Sequence, residues 1–428
     1  TWQMSGSPNP STGTDGYSIT DQPEGYTVIF GTGSNNSTNV GVANFGQDSS
    51  FAGTKPPQGN GAAHEDFYYT PPTGFKALCA KNLPVPDVIP SEHFNTVIYT
   101  GDGDGSGKSI TGVGFQPDFV WIKDRSHTES HRTYDSISGV HVNNGTNSNY
   151  VDWTDAQSLQ SFDTDGFTVG NENAVNNDHP YVSWNWKAGN ATLGTGDFTQ
   201  GNLASTCSRN VDAGFSIVKY TGNATNAATI GHGLSKAPDM VILKNRERTS
   251  GWRVGGARIG NGSTNYLTLN TTAAIDDATT GFQAFTSTTF QIGNDTDWNA
   301  SGEDIIAYCF HSVEGYSKVG SYKGNGNANG MFVYTGFRPA YMLVKRTDAT
   351  EDWWALDIER DPYNVIYHLL YPNGTNAEYS GGGSSDSPYD ITSNGFKNRT
   401  SNANWNADGG DYIYLAIAET PFKYANAR

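Results

Sequence analysis

Residues 233–246 read GLSKAPDMVILKNR, which is a turn with a proline, then an apolar run of strand length, then a basic polar end. The same order of features occurs twice more, as GFQPDFVWIKDR at residues 114–125 and as GFRPAYMLVKR at residues 336–346. Such short apolar runs cannot make a stable helix, and their β-branched and aromatic content favours buried strands. A proline just before a strand removes no hydrogen-bond donor from the interior of a sheet. The repeated stretch therefore predicts three equivalent core strands.

The segments around each core strand repeat as well. A strand that ends in a glycine turn precedes it, an aromatic segment follows it, and an alternating strand closes the copy. The preceding strands are VIYTG (97–101), IVKYTG (217–222) and VGSYKG (319–324); the aromatic segments are RTYD (132–135), WRV (252–254) and WWALD (353–357); the closing strands are YVSWNW (181–186), IIAYCF (305–310) and YIYLAI (412–417). The core prolines lie 121 and 101 positions apart, too far for a solenoid unit of about 20–50 residues. We therefore expect tandem domains.

Length and composition favour an all-β chain of several domains. At about 100–200 residues per domain, 428 residues suggest three or four. Gly, Asn, Thr and Ser are abundant, which suits short strands joined by turns. Aromatic residues make up 12% of the chain, enough to build cores, so disorder is the weaker interpretation. The predicted fold class is all-β, with tandem β-sandwich domains of the jelly-roll or concanavalin-like kind.

The charge and the cysteines exclude several classes of function. The net charge of −17 repels phosphate backbones and anionic membranes, so neither nucleic-acid binding nor membrane insertion is expected. No window approaches the roughly 20 apolar residues needed to span a bilayer. Cys79, Cys207 and Cys309 lie far apart and have no metal-ligand spacing, and Cys309 is expected to be a small buried side chain. Because the first residue is Thr1, we expect the sequence to begin inside a longer or processed product.

The repeats set the expected domain boundaries. A segment with three prolines in eight residues, LPVPDVIP, suggests an extended, semi-rigid linker, and a polar stretch separates the first two repeats. The expected division is a first β-sandwich segment at 1–82, a linker at 83–93, repeat 1 at 94–189, a linker at 190–212, repeat 2 at 213–316 and repeat 3 at 317–428.

The chain also resembles a known group of proteins. The stretches NFGQDSSFAG (44–53), FYY (67–69) and GFKALC (74–79) look like the closing part of a SPRY-like, concanavalin-type sandwich found in bacteriophage tail-associated proteins. GFSIVKYTG (214–222), GHGL (231–234) and AYCFHS (307–312) are similar to a repeated domain of the same phage proteins, and PFKYANAR (421–428) looks like their usual terminus. The earlier strands of a full SPRY-like domain are missing. The resemblance implies virion structure and host contact, and it carries over no catalytic residues.

Two loops have the residue types of ion sites. The run GDGDGSGKS (101–109) lacks the first glycine of a phosphate loop, since that position is Asp102, and it lacks the bidentate glutamate of a calcium loop. A hairpin loop is the favoured interpretation, with an ion site as the alternative. His127 and His131 have the i,i+4 spacing of zinc ligands on a helix, but they lie in a polar loop after a strand. A solvated loop is therefore favoured there too.

Catalytic residues are not evident. His232 and His311 are solitary and are expected to be hydrogen-bonded structural residues. Acidic pairs for glycoside cleavage are available at 303–304, 351–352 and 357 with 359, but such pairs arise by chance in an acidic chain. No cofactor, metal or catalytic residue is assigned, and the chain is not expected to be an enzyme.

Tryptophans in polar loops are the better indication of binding. Exposed rings on loops can stack on sugars, and Trp153, Trp298 and Trp405 are predicted as glycan contacts. Trp252 and Trp353 or Trp354 are repeat-equivalent, which favours the same core position in each domain. Trp298 and Trp405 share the motif Asp/Asn-Trp-Asn-Ala before the closing strand, which could also anchor a loop.

The expected function is a structural protein of a tailed bacteriophage virion, in a tail fibre or another surface appendage that attaches to the host. Its expected partners are further copies of itself, in a homo-oligomer that could be a trimer, other virion proteins, and a host surface glycan or receptor. Its expected location is the surface of the extracellular particle. The alternatives are a carbohydrate-binding or adhesive surface protein and, less favoured, a polysaccharide depolymerase.

Overall fold

A computed structural model describes residues 85–104, 106–380, 388–422 and 424–425, with scattered positions among the first 84. The chain divides into two compact units, Thr1–Val85 and Pro86–Arg428. In the first unit, strands β1 (Trp2–Gln3) and β2 (Gly16–Tyr17) pair antiparallel. The segments that carry the SPRY-like resemblance, and Cys79, lie for the greater part outside the described residues.

The second unit starts with a 3-10 helix at Pro90–Glu92 and continues into repeat 1. This repeat has a four-stranded inner sheet, ordered β3-β11-β5-β6, and a three-stranded outer sheet, ordered β4-β10-β9. Its elements are β3 (Phe94–Thr100), β4 (Lys108–Thr111), β5 (Phe119–Asp124), β6 (Arg132–Asp135), β7 (Val142–Asn143), β8 (Trp153–Thr154), β9 (Leu159–Asp163), β10 (Gly166–Val169), α1 (Asn173–Asn176) and β11 (Pro180–Trp186).

Repeat 2 has the same plan with an enlarged inner sheet, ordered β12-β13-β21-β15-β16-β17-β18, and the outer sheet β14-β20-β19. Its elements are β12 (Ser205–Asn210), β13 (Phe215–Thr221), β14 (Ala228–Gly231), β15 (Met240–Asn245), β16 (Arg253–Gly255), β17 (Asn265–Thr268), β18 (Asp276–Asp277), β19 (Phe282–Phe285), β20 (Thr289–Ile292), α2 (Thr296–Asn299) and β21 (Asp304–Phe310).

Repeat 3 has the inner sheet β22-β30-β24-β25 and the outer sheet β23-β29-β28. Its elements are β22 (Ser317–Lys323), β23 (Phe332–Tyr334), β24 (Phe337–Arg346), β25 (Trp353–Asp357), β26 (His368–Leu369), β27 (Tyr379–Ser380), β28 (Tyr389–Thr392), β29 (Gly395–Asn398), α3 (Ala403–Asn406) and β30 (Asp411–Pro421). The predicted all-β class and the three predicted core strands, β5, β15 and β24, are confirmed.

In each repeat, the outer sheet packs on one face of the inner sheet and forms a local apolar core. In repeat 1, for example, Phe167 of the outer sheet packs with Val120 and Ile122 of β5. Because successive strand residues point to opposite faces, the other half of β5 must be buried by something else. All six residues of β5 and all six of β15 are buried, so the inner sheets are covered on both faces.

A fourth core, shared by all three repeats, covers the second face. It contains Trp121 and Trp186 of repeat 1, Tyr308 and Phe310 of repeat 2, and Leu415 of repeat 3, with neighbours from each. Strand β21 shows the division clearly, since its residues alternate between the shared core and the local core of repeat 2. Each fully buried large apolar side chain contributes roughly 1.5–3 kcal/mol, so the shared core is a major source of stability.

Hydrogen bonds between the repeats close into a ring. Trp252 Nε1 of repeat 2 donates to the Gly145 carbonyl of repeat 1 at 3.0 Å, and Trp353 Nε1 of repeat 3 donates to the Thr268 carbonyl of repeat 2 at 3.1 Å. In repeat 1 the equivalent residue is His131, whose Nε2 lies 2.9 Å from the Tyr371 carbonyl of repeat 3. The equivalence is supported by the backbone N–H of each of the three residues, which donates to an asparagine Oδ1.

The ring corrects the expectation of tandem domains. The predicted core strands are present in each repeat, but the repeats share one core and belong to one compact unit. The predicted linker at 190–212 is structural: it contains β12, which pairs with β13, and Phe198 and Leu203 pack in the core of repeat 2. In the predicted linker at 83–93, Val88 is buried in the shared core. Prolines at 83–93 and polar composition at 190–212 suggested linkers. Both segments are nevertheless anchored, because a few apolar residues suffice to hold them in a core.

No helix in the described part of the chain is long and apolar enough to cross a bilayer.

Candidate functional site

The second-to-last residue of each core strand is a buried lysine that holds the following loop. Lys123, Lys244 and Lys345 are repeat-equivalent and fully buried. Each ammonium donates to the carbonyl of the next residue and to a carbonyl four residues further along the chain; Lys345 also donates to Thr272 of repeat 2. Burial lowers the pKa of all three lysines to about 8. The lysines therefore fix the loops at one end of the inner sheets.

In repeat 1, the loop fixed by Lys123 brings three potential metal ligands together. Asp124 ends β5, His127 lies three residues later, and His179 directly precedes β11, which pairs with β5. One ligand atom from each lies within 4.8 Å of the others, the one such group in the part of the chain that the structure describes. We call these three residues the Asp-His-His cluster. His179 was not singled out from the sequence, because it is distant from the other two along the chain.

Short distances and hydrogen bonds hold the three side chains of the cluster together. His179 Nδ1 lies 2.6 Å from Asp124 Oδ2, and His127 Nδ1 lies 3.8 Å from the same oxygen. Asp124 is fully buried, and its other oxygen accepts from the backbone N–H groups of Ser126 and His127. The two imidazole rings stack with centroids 3.6 Å apart and an interplanar angle of 12°. His127 is about half exposed and His179 is one-fifth exposed, so solvent reaches the cluster.

The same three positions carry different chemistry in repeat 2. In repeat 2 they are Asn245, Arg248 and Glu303: the arginine makes two hydrogen bonds of 2.7 Å with the glutamate, and Asn245 donates to it at 2.8 Å. The Arg248 hydrogen bond lowers the pKa of Glu303. Repeat 2 therefore has a self-neutralised ion pair where repeat 1 has two imidazoles and a carboxylate. Imidazole nitrogens and a carboxylate oxygen are zinc-type ligands.

A second charged group, the Arg-Glu-Arg junction, closes the ring between repeats 3 and 1. It consists of Arg125, Glu378 and Arg360. Arg125 binds Glu378 through two hydrogen bonds of 2.8 and 2.9 Å, and Arg360 binds it at 2.8 Å. Arg360 is fully buried and also binds Asp357 at 2.7 Å. Burial alone would raise the pKa of Glu378, but the two arginines lower it below its ordinary value. These charges are far apart in sequence, so nothing in the sequence pattern pairs them.

The solvated loop favoured for His127 and His131 is confirmed for His127, which is 54% exposed, and is wrong for His131. His127 belongs to the Asp-His-His cluster, whereas His131 is completely buried at the repeat 3 junction. Its Nδ1 accepts from Trp121 Nε1 at 2.8 Å. Burial, followed by the charge of Lys123, lowers the pKa of His131 well below its ordinary value. The i,i+4 spacing brings side chains together on a helix, but this segment is a loop.

Two of the three predicted glycan contacts are wrong, because their tryptophan side chains are buried. Trp298 and Trp405 are each 2% exposed and pack in the local cores of repeats 2 and 3. Neither ring is accessible to a sugar. Trp153 is partly exposed, and Arg132 lies over its ring at 5.0 Å. Polar neighbours misled the prediction, because a one-turn helix with polar flanks can still point its tryptophan inward.

In the Asp/Asn-Trp-Asn-Ala motif, the asparagine that follows the tryptophan has the structural role. Asn299 is fully buried; its amide donates to the carbonyls of Thr225 and Gly293, and its Oδ1 accepts from the Asn223 backbone. Asn176 and Asn406 make equivalent bonds in repeats 1 and 3. The motif is therefore a loop anchor, as its alternative interpretation proposed.

The loop at 101–109 is a hairpin loop held by its own side chains. Asp102 accepts from the backbone of Asp104 and from Asn176, and it pairs with Lys108 at 3.2 Å. Asp104 accepts from Ser106. The carboxylates are thus used within the loop.

The acidic pairs considered for glycoside cleavage have separate ionic or polar partners. Glu303 pairs with Arg248, Asp304 with Lys219, and Asp352 accepts from Asn373. Asp357 is buried against Arg360. Glu359, the second residue of the pair with Asp357, has a pKa that burial raises above its ordinary value.

The remaining predicted residues are structural. His232 Nδ1 accepts from the Leu234 backbone, and its Nε2 lies 3.1 Å from the Thr286 carbonyl. His311 lies 3.0 Å from the Ser312 carbonyl. Cys309 is fully buried, and it and Cys207 are free thiols. Both histidine interpretations and the Cys309 interpretation are confirmed.

The exposed aromatic side chains lie elsewhere than predicted. Tyr363 is 72% exposed and Tyr367 is 40% exposed, both in the loop between β25 and β26 of repeat 3. Tyr367 packs against His368, with ring centroids 4.2 Å apart. Asp361 fixes the loop by accepting from the backbone N–H groups of both residues. The loop lies outside the repeated sequence motifs, which is why the repeat pattern did not indicate it.

The shared core has no room for a substrate. Residues from all three repeats, among them Trp186, Trp252 and Tyr341, line a void of about 10 Å³. Such a void holds no more than about one water molecule.

Comparison with known proteins gives one match. The model of a family described as a domain of unknown function, DUF7483, matches residues 89–421, a range that contains the strands of all three repeats. No curated protein and no solved structure matches the chain. Because the matched range covers more than three quarters of the 428 residues, the chain belongs to the DUF7483 family.

Proposed function

We propose that this chain is a structural protein of a tailed bacteriophage particle, in a tail fibre or another surface appendage that contacts the host. The observation that carries the proposal is the ring of three repeats around one core. A ring whose inner sheets are buried on both faces is a rigid body. Its outward loops differ between repeats without disturbing the core, which suits a protein that displays contact loops.

The sequence resemblance to phage tail-associated proteins supports the same proposal. Two of the resembling stretches lie in the inner sheet of repeat 2. The stretch 214–222 contains strand β13, and the stretch 307–312 contains the last four residues of β21, which pairs with β13. This part of the resemblance therefore lies in core strands. The acidic surface, with a net charge of −17, suits a protein that must remain dissolved before assembly.

The proposal includes location on the particle surface and assembly with other virion proteins and further copies of this chain. Mass spectrometry of purified phage particles, with immunogold labelling against residues 86–428, tests it. We expect the chain in intact particles and the label on a tail appendage. Particles that lack the chain, or label confined to the host cell surface, would overturn the proposal.

The oligomeric part has its own test. Light scattering after size-exclusion chromatography of the full chain is expected to give a multiple of 46.1 kDa. A mass of a single chain in solution, together with single copies in the particle, would remove the homo-oligomer.

Glycan binding is the second candidate function, and the exposed Tyr363 and Tyr367 favour it. Tyrosine rings on a fixed loop provide contact area for sugars at low entropic cost. Calorimetric titration with host surface polysaccharide is expected to show saturable binding that Tyr363→Ala weakens. Tyr334→Ala, which removes an exposed ring on β23, is the matched control. Equal binding by both variants, or none by the native chain, would exclude this loop as the binding site.

A further inference from the structure

We propose that the Asp-His-His cluster binds one divalent transition-metal ion of the zinc class, through Asp124 Oδ2 and the Nδ1 atoms of His127 and His179. The site is independent of the proposed function. Three observations carry it: the distances, the exposure of the cluster, and the chemistry of the equivalent positions in repeat 2.

The distances require only small movements. In a tetrahedral zinc site with bonds of about 2.0–2.1 Å, neighbouring ligand atoms lie about 3.3 Å apart. The carboxylate oxygen lies 2.6 Å from His179 Nδ1 and 3.8 Å from His127 Nδ1, so the two values bracket that spacing. Binding replaces the proton shared between Asp124 and His179 with the metal ion, and the released proton passes to solvent.

His127 is the side chain that must move. A metal ion lies close to the plane of each imidazole that binds it, so the parallel stack of the two rings must open. His127 is free enough to do this, since its side chain is 54% exposed, and its Nδ1 would exchange a 2.8 Å hydrogen bond with the Ser126 hydroxyl for the metal ion. Asp124 is fully buried and His179 is one-fifth exposed, so both have less freedom to move than His127.

Repeat 2 shows that the fold accommodates a positive group at this position. There the guanidinium of Arg248 lies against the carboxylate of Glu303, which is equivalent to His179. In repeat 1, a divalent ion would supply the positive charge. Two nitrogen ligands and one oxygen ligand suit Zn²⁺, Ni²⁺ or Cu²⁺, whereas Ca²⁺ and Mg²⁺ need sites made of oxygen. Water would complete the coordination on the exposed side.

Isothermal titration of the chelator-treated full chain with ZnCl₂ tests the proposal. We expect saturable binding of one ion per chain. His127→Ala removes a surface ligand without touching a core, and it should weaken binding by more than about 100-fold, beyond the loss usual for an outer partner of a ligand. The matched control is Thr128→Ala, which changes the exposed neighbour in the same loop and should leave the affinity unchanged.

A second variant separates binding from folding. Asp124→Asn, His127→Arg and His179→Glu together copy the residues of repeat 2, so the triple variant should fold, as near-ultraviolet circular dichroism can show, and should not bind zinc. With Co²⁺ as the probe, we expect visible absorption from the native chain and none from this variant. No saturable uptake by the native chain, or uptake that persists in His127→Ala or in the triple variant, would overturn the proposal.

Discussion

Several polar residues that recur in all three repeats are buried, the lysines of the core strands among them. Lys123, Lys244 and Lys345 are each the last inward residue of a core strand, and each ammonium satisfies carbonyl groups of the following loop. A sequence pattern shows a basic residue at the end of an apolar run. It does not show whether that residue turns to solvent or back under the loop.

Replacing Lys244 with methionine tests this role. The side chain keeps its volume, but the carbonyls of Asn245 and Arg248 and the hydroxyl of Ser250 lose their donor. Because removing one partner from a buried polar group is costly, the free energy of unfolding should fall by about 2–4 kcal/mol. Urea denaturation measures it. Lys236→Met, at an exposed position two residues before Pro238, should change stability by less than about 0.5 kcal/mol.

His131 makes the ring sensitive to acid. The native neutral ring uses both nitrogens, accepting from Trp121 and donating to the Tyr371 carbonyl. Its pKa is depressed by burial and by Lys123, so the folded chain resists a proton that the unfolded chain takes up near pH 6.5. Its contribution to stability is therefore complete above about pH 6.5 and is lost as the pH falls below that value.

Denaturation curves of the His131→Gln variant between pH 7.5 and 4.5 check this effect, because glutamine can donate and accept but does not titrate in that range. The loss of stability per pH unit below about pH 6.5 should be smaller in the variant by up to about 1.4 kcal/mol, the value for one proton. Identical slopes for the two proteins would show that His131 does not contribute.

Among the elements, the strands could be predicted and the one-turn helices could not. The runs FVWI, MVIL and YMLV are apolar at every position, and such runs favour strands covered on both faces. The helices α1, α2 and α3 have four residues each, which is too short for any periodic pattern. The tryptophans of α2 and α3 were therefore assigned to exposed loops, although the Asp/Asn-Trp-Asn-Ala motif was noticed.

Asn299→Ala tests the anchor at the end of α2. The change leaves the carbonyls of Thr225 and Gly293 and the backbone N–H of Asn223 without their partner in a buried setting. The expected loss is about 2–4 kcal/mol in the free energy of unfolding, with early hydrogen exchange in the loop at 222–228. Asn226→Ala, at an exposed position whose side chain accepts a hydrogen bond from Gln283, should be close to neutral. A neutral Asn299→Ala would contradict the anchor role.

The site at the end of β5 was partly visible in the sequence. His127 was considered as a ligand, but it was paired with His131 because spacing along the chain was the available guide. The partner is His179, which reaches the cluster because β11 pairs with β5. Aligning the three repeats would have related positions 124, 127 and 179 to 245, 248 and 303, where the residue types change together.

At the scale of the molecule, the ring of three repeats could not be predicted from the sequence. The pattern shows that both faces of the inner strands are apolar, but it does not say what covers the second face. A neighbouring chain, a separate sheet or another repeat would produce the same residues. The contacts that select the last of these, such as those from Trp353 to Thr268 and from Arg125 to Glu378, join positions more than 80 residues apart.

Deleting repeat 3 tests the ring against independent domains. A chain that ends at residue 316 loses Tyr341, Leu343 and Leu415 from the shared core and exposes the inward faces of the two remaining inner sheets. We expect it to be unfolded or aggregated, whereas the range 86–428 should unfold in one transition by calorimetry and by tryptophan fluorescence. Tandem domains would instead give a folded two-repeat product and separable transitions.

The shared interior also restricts which substitutions and duplications the gene for this protein can accept. A substitution on an inward face of one copy meets side chains from the other two, so the three copies must accommodate one another there while their peripheral loops drift separately. Gaining or losing a whole copy would leave the interior unfilled or overfull. Duplication history in this family should therefore appear as variation at the rim and a fixed number of three units at the centre.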